Sequence, residues 1–243
     1  MASGDAAPAA GAAAHVFVGR LDQPELELDE ADAHHLTRAL RLRPGEAVTA
    51  SDGCGRWRLC RITAATVARS VLEAEGAVHF EPRGVPVLTV GFVPVKGSRP
   101  EWTVQKLTEL GVDRIVPLLA ARSVVRWEGE RADRQVERWR RIAREAAGQS
   151  RRVWLPDLTD LSDFDAAATL PGAALAEFGG DAPDLAHPTV LIGPEGGWTA
   201  GERSAGLARV GLGPTVLRAE TAALAAASLL AALRAGTVRP HVR

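Results

Sequence analysis

The sequence predicts an α/β protein, in which a parallel sheet with helices on both faces follows a smaller β-rich, barrel-like module. Three observations carry this. From residue 87 onward, short apolar runs alternate with helical periods. Before residue 83 the apolar runs are short, alternate with period two and are broken by turns. Pro82, Gly84 and Pro86 mark a linker between the two regimes.

Residues 1–14 are rich in Ala, Gly and Pro, with no basic start and no Leu/Val/Ile core. They are expected to form a disordered tail and make a poor signal peptide. Val16-Phe17-Val18 opens the first strand, and Asp32 to Leu42 reads as a short helix with His34, Arg38 and Arg41 on related turns. Pro44-Gly45-Glu46 is a turn, Ala47 to Ala50 a strand, and Asp52-Gly53 a hairpin turn. Arg56 to Ile62 alternates as a half-buried strand does. Residues 15–82 are thus expected to form one separate module.

Residues 87–240 are expected to form the second domain. Val87 to Val93 is a fully apolar strand. Ser98-x-x-Glu101 is a capping-box signal for a helix that runs to Leu110 and is ended by Gly111. Ile115 to Leu119 is the next strand, and Asp133 to Ala147 a long Arg-rich helix. Ala173 to Phe178 is a strand followed by Gly179-Gly180. Thr189 to Ile192 feeds the loop Gly193-Pro194-Glu195-Gly196-Gly197, and Thr199-x-x-Glu202 signals a helix start. A last strand is expected to end at Leu217, ahead of an Ala/Leu-rich helix from Thr221 to Leu233.

Ligands of parallel sheets bind outside the carboxyl ends of the strands. Phe178–Gly180, Gly193–Gly197 and Leu217–Thr221 are all expected there, converging on one pocket. Glycines suit such a place, because they take positive φ and let a ligand reach the backbone. A phosphate loop fits poorly. There is no G-x-x-x-x-G-K-[ST] and no G-x-G-x-x-G, and Glu195 inside the loop would repel a phosphate. An ordinary tight turn between strand and helix explains the glycines equally well, so these residues alone leave the ligand open.

The formal net charge of −1 says nothing about a polyanionic partner, but its distribution does. His34 to Arg61 holds six Arg against two acids, and Arg122 to Arg152 ten Arg against five. These clusters read as solvated faces laced with i,i+4 pairs, or as two patches that meet one polyanion. Cys54 and Cys60 match neither a zinc spacing nor a disulfide framework, and no H-E-x-x-H is present, so no metal site is expected. The most apolar helix, Thr221 to Leu233, is too short and Ala-rich to span a bilayer. A cytoplasmic protein with no membrane partner is expected.

The Ile192-Gly193-Pro194-Glu195-Gly196-Gly197 loop and the Leu217-Arg218-x-Glu220-Thr221-Ala222 segment resemble the RsmE-type ribosomal RNA methyltransferases of the SPOUT superfamily. That family methylates N3 of a uridine in 16S ribosomal RNA of the small subunit. His34-His35-Leu36-x-x-x-Leu40-Arg41-Leu42 and Pro44-Gly45-Glu46 are similar to its PUA-like RNA-binding module. Lys96-Gly97, Gln105 to Val112 and Gln149-Ser150-Arg151-Arg152 resemble further family stretches. Each motif is short; their common order and spacing carry the resemblance. Gly148, Thr215 and Ala219 depart from it, standing where Glu, Arg and Thr are frequent.

The resemblance implies a PUA-like β-barrel domain before a SPOUT-type trefoil-knotted parallel-sheet domain. It implies a homodimer packed through the knot region, and S-adenosyl-L-methionine as cofactor. By the same resemblance the cofactor site comprises Glu177, Phe178, Gly193, Pro194, Glu195, Gly196, Gly197, Leu212, Leu217, Arg218, Glu220, Thr221 and Ala222. Arg218 is the expected catalytic residue, set to stabilise charge on the uracil oxygens. His34, Arg38, Arg41, Arg58, Arg144, Arg151 and Arg152 are the expected RNA contacts. A SPOUT enzyme for another RNA, such as a transfer RNA ribose 2′-hydroxyl, and a non-catalytic RNA-binding ribosome-assembly factor are the alternatives.

Overall fold

The computed structural model describes residues 11–29, 32, 33, 36, 41–66 and 70–239. It divides into two compact units. One runs to Arg83 and takes in Ala147–Leu155; the other comprises Gly84–Ala146 and the chain from Pro156 onward. No helix of the described residues is long and apolar enough to cross a membrane.

The first unit is a five-stranded sheet of β1 (Ala14–Phe17), β2 (Glu25–Glu27), β3 (Ala47–Ser51), β4 (Arg56–Ala65) and β5 (Ser70–Phe80). The order is β1-β3-β4-β5-β2, with β1 parallel to β3 and the other pairs antiparallel. Val16, Leu26, Val48, Ile62 and Leu72 meet in its core. The period-two pattern of β4 changes phase on the way. Its pairing to β5 is irregular between Trp57 and Leu59, so Trp57, Cys60 and Ile62 are the buried residues. Residues 147–155 complete the unit: Ser51 Oγ donates to the Val153 carbonyl at 2.9 Å, and the Leu155 N–H to the Gly53 carbonyl at 2.9 Å. Most of the expected Asp32–Leu42 helix, with His34 and Arg38, lies outside the described residues.

The second unit contains β6 (Thr89–Phe92), α1 (Arg99–Glu109), β7 (Arg114–Leu119), α2 (Glu130–Gln149, whose last turn belongs to the first unit) and β8 (Asp157–Leu158). It continues with β9 (Ser162–Asp163), α3 (Phe164–Ala168), β10 (Ala173–Asp181), β11 (Thr189–Ile192), α4 (Ala200–Arg203), β12 (Ala208–Val210) and α5 (Ala219–Arg234). The sheet is parallel throughout, in the order β12-β10-β11-β6-β7-β8, with β9 beside β7. Alternate residues serve its two faces. Val90, Ile115 and Val190 pack with Leu107, Trp139 and Leu230, whereas Val116, Leu118 and Leu191 pack with Phe164, Ala167 and Trp198.

Local signals were realised unevenly. Gly111, at φ +84, stops α1: its N–H reaches the Thr108 carbonyl and the Val112 N–H that of Leu107. The Thr199/Glu202 capping box forms in full. The Ser98/Glu101 box does not. Ser98 sits at ψ 1 rather than in the extended conformation a capping side chain needs, and Glu101 turns to Gln135 and Arg138 on α2. The expected last strand is displaced as well. The strand is Ala208–Val210, and residues 211–218 form a loop in which Pro214 offers no N–H and Val216 is 83% exposed. The Phe178–Gly180 stretch, expected as a loop, lies inside β10. Gly180 allows this, because a Cβ there would lie 2.7–2.8 Å from the backbone of Arg209 and Val210.

Candidate active site and cofactor pocket

Strand register assembles the site. Ile192 lies beside Phe92, and Phe92 beside Pro117. The chain therefore leaves β11, β6 and β7 on one edge of the sheet, at their carboxyl ends. A cavity of about 770 Å³ opens there. Its walls are the end of β10, the glycine loop and the loop from Leu212 to Arg218. Ile192, Leu212, Leu217 and Ala222 supply apolar wall, and Arg99, Glu177, Glu195, Arg203 and Arg218 supply charge.

The glycines of the loop differ in their reasons. A Cβ at Gly193 would lie 2.9 Å from the ring of Trp198, which is buried and donates its indole N–H to the Ala176 carbonyl at 3.2 Å. Gly197 has φ +69, where glycine alone is unstrained. Gly196 is under neither constraint. It is off the cavity wall, and its carbonyl accepts a hydrogen bond from Arg122 at 2.7 Å.

Ion pairs hold the loop from both sides. Arg99 lies 3.2 Å from Glu195 and 3.5 Å from Glu220. Arg203 lies 2.6 Å from Glu177, whose other oxygen is 3.3 Å from Arg209. One oxygen each of Glu177 and Glu220 is buried without a hydrogen-bond partner among the described residues.

Of the thirteen expected cofactor residues, Glu177, Phe178, Gly193, Pro194, Glu195, Gly197, Leu212, Leu217, Arg218 and Ala222 line this one cavity. Gly196, Glu220 and Thr221 do not. Arg218, Ala219 and Ala222 fall on one face of the first turn of α5, and a helix turns about 100° per residue, which carries Glu220 round to Arg99. Arg218 precedes the helix as its N-cap and is exposed; its carbonyl accepts the Ala222 N–H, and its guanidinium has no hydrogen bond or ion pair among the described residues. Sequence reasoning missed Arg99, Trp198 and Arg203. A capping-box reading of Ser98–Glu101 drew notice away from Arg99, and nothing local to Arg203 signals its tie to Glu177.

The expected RNA contacts that the structure describes fall in both units. Arg58 is turned inward, its guanidinium donating to the carbonyls of Leu21 at 2.8 Å and Gly76 at 2.6 Å. Arg41 is exposed, Arg144 is on α2, and Arg151 and Arg152 lie in the segment that completes the first unit. Arg41 and Arg151 both have positive φ, 55 and 56. His34 and Arg38 lie outside the described residues. Several neighbouring arginines are paired, Arg61 with Glu75 and Arg134 with Glu130 among them. Burial pushes the Cys60 thiol up to about 11, so it stays neutral.

Comparison with known proteins agrees with this geometry. A model of an RNA methyltransferase domain matches residues 83–231, and one of an RNA methyltransferase PUA domain residues 28–67. The ribosomal RNA small subunit methyltransferase E of Mycobacterium tuberculosis is 33% identical over 220 residues, 82% of this chain and 83% of that protein. That of Bacillus subtilis is 30% identical over 233 residues, 86% and 90% of the two chains. The crystal structure of the Neisseria gonorrhoeae enzyme bound to S-adenosyl methionine superposes with a TM-score of 0.77 at 28% identity, covering 88% of this chain and 95% of that one. The fold class is thus a PUA-like domain with a SPOUT-type parallel-sheet domain. The chain belongs to the RNA methyltransferase family, among the ribosomal RNA small subunit methyltransferases E.

Proposed function

We propose that this protein methylates N3 of a specific uridine in 16S ribosomal RNA, with S-adenosyl-L-methionine as methyl donor. One observation carries the reading: a partly apolar cavity at the sheet's carboxyl edge, with the free guanidinium of Arg218 in its wall. The residues fit the donor. Ile192, Leu212, Leu217 and Ala222 suit an adenosyl group. The donor is cationic at sulfur and at its amine, and Glu177 and Glu195 line the same space.

When bound, S-adenosyl-L-methionine supplies an electrophilic methyl carbon on a good leaving group, so the protein's task is largely positioning. The glycine loop holds one side of the cavity and the Leu212–Arg218 loop the other. Loss of the uracil N3 proton puts charge on O2 and O4. Arg218 faces that charge with a planar fork of donors. The N3 edge is the base-pairing edge, so the target uridine is taken unpaired or extruded. Glu220, the carboxylate nearest Arg218 in sequence, is turned to Arg99, so it is not assigned the proton.

Arg41, Arg144, Arg151 and Arg152 are proposed to meet phosphates, with Arg58 bracing the first unit from within. A cytoplasmic homodimer completes the reading. Mass spectrometry of small-subunit RNA from cells with and without the gene tests it. Loss of 3-methyluridine from one position is expected; a change in transfer RNA ribose methylation instead would replace the reading. Calorimetric binding of S-adenosyl-L-methionine separates it from a non-catalytic assembly factor, which would show none.

A further inference from the structure

We propose that the catalytic unit carries its own phosphate-binding rim, formed by Lys96, Arg122 and Arg126, which holds the RNA strand beside the methyl-transfer cavity. The inference rests on the RNA methyltransferase reading and deepens it, because Arg122 and Arg126 belong to the second basic cluster but, like Lys96, are not among the expected RNA contacts. Register places the rim. The chain leaves Phe92 of β6 toward Lys96 and Pro117 of β7 toward Arg122, from neighbouring parallel strands and on the edge where Gly193 leaves β11. Contacts confirm the adjacency: Arg99, three residues after Lys96, reaches Glu195, and Arg122 reaches the Gly196 carbonyl.

All three side chains are available. Each residue is exposed. Lys96 has no hydrogen bond or ion pair among the described residues. Arg122 gives one N–H to Gly196, and Arg126 one to the Ala121 carbonyl at 3.1 Å, which orients each guanidinium and leaves its other donors outward. Both anchors are backbone carbonyls rather than carboxylates; Arg122 also feels the charge of Glu202, whose oxygens are taken up by Ala121 and Thr199. This differs from α2, where Arg134 and Arg140 face carboxylates. The acids on this edge are Glu195, held by Arg99, Glu202, held by Ala121 and Thr199, and Glu128, two residues beyond Arg126. Exposed cations beside a cavity for a nucleobase match a phosphodiester strand whose target base is turned inward.

The test compares wild type with Lys96→Ala/Arg126→Ala, using a small-subunit RNA fragment that contains the methylated uridine. The double variant is expected to bind RNA about tenfold more weakly, and its log Kd–log salt slope to fall by about 1.5, as for two lost phosphate contacts. Affinity for S-adenosyl-L-methionine should not change. Lys96→Arg/Arg126→Lys should keep both the affinity and the slope, since charge rather than shape is read. Wild-type affinity and slope in the double alanine variant would overturn the rim. So would a normal slope with loss of dimer in light scattering, which would make the surface a contact between copies of this chain. If wild type itself fails to methylate the RNA, the functional reading fails; if it methylates and the double variant matches it, only the rim does.

Discussion

Glu202 Oε1 accepts the backbone N–H of Ala121 at 2.9 Å, across 81 residues of sequence. Its other oxygen accepts the Thr199 N–H at 2.7 Å and the Thr199 hydroxyl at 2.8 Å. One buried carboxylate thus closes a capping box and ties the short helix after the glycine loop to the loop after β7. Arg122 does the same from the opposite direction, through Gly196. A loop held this way costs little to order when a ligand binds.

The clamp has a measurable weight. Burial by itself would raise the Glu202 pKa, but the hydrogen bonds from Ala121 and Thr199 and the charge of Arg122 outweigh it and hold the carboxyl below its ordinary value of 4.5. Its stabilisation is therefore present above the usual carboxylate range and is lost as pH falls through the lowered pKa. Glu202→Ala should cost about 1–3 kcal/mol in urea melts near neutral pH, by leaving donors unsatisfied. It should also weaken S-adenosyl-L-methionine binding severalfold. Glu202→Gln keeps one acceptor and should lose less of both. An unchanged cofactor affinity in a destabilised Glu202→Ala protein would confine the clamp to stability.

Two glycines of the same loop should respond oppositely. Gly193→Ala places a Cβ 2.9 Å from the Trp198 ring, which cannot retreat because it is buried. Shifting either alters the cavity wall, so cofactor affinity should fall about tenfold or more, the scale of an overpacked site. Gly196→Ala meets nothing closer than 3.5 Å, and its neighbour is the flexible Arg122. Its affinity should stay within about twofold of wild type. Titration calorimetry on both proteins decides; equal losses would mean the loop acts through its backbone freedom instead.

These contrasts show where the sequence is legible. The apolar runs Val87–Val93 and Thr189–Ile192, and the stop at Gly111, are local, and the structure contains them as strands and a helix end. The strand at Ala208–Val210 was not legible. It is three residues long, and its pairing to β10 rather than its own pattern makes it a strand. The return of residues 147–155 to the first unit is set by hydrogen bonds to Ser51 and Gly53, which no periodicity records. The pocket loops were found because glycines cluster at strand ends. Arg99 and Arg203 were missed because their carboxylate partners, Glu195 and Glu177, are 96 and 26 residues away. The trefoil knot came with the family resemblance; no reading of single elements proposes one.

Arg218 should matter to the reaction more than to binding. It lines the cavity, its guanidinium has no partner among the described residues, and it would meet charge that develops only as the N3 proton leaves. Arg218→Ala should lower the single-turnover rate by about 10²–10³, the loss typical of one preorganised donor. Cofactor affinity should move far less. Arg218→Lys should recover part of the rate, since a point charge cannot reproduce the fork. Wild-type turnover in Arg218→Ala would remove the catalytic role. A variant that loses its dimer in light scattering would make the residue structural.

Acid should weaken the first unit through one histidine. His15 is 4% exposed, and its Nδ1 lies 2.8 Å from the Thr49 hydroxyl. Burial, aided by the Arg151 charge, lowers its pKa from 6.5 to about 4. The native ring is therefore neutral where the unfolded chain's is already protonated, so the unfolded state binds more protons between those values. Stability from this residue is complete above pH 6.5 and is lost as pH falls toward 4, by about 3 kcal/mol in all. His15→Asn replaces the ring with a group that does not titrate. Urea melts of wild type at about pH 7 and about pH 4.5 should differ by about 2–3 kcal/mol more than those of His15→Asn. Equal pH dependence in the two proteins would show that His15 takes up its proton in the folded state as readily as in the unfolded one.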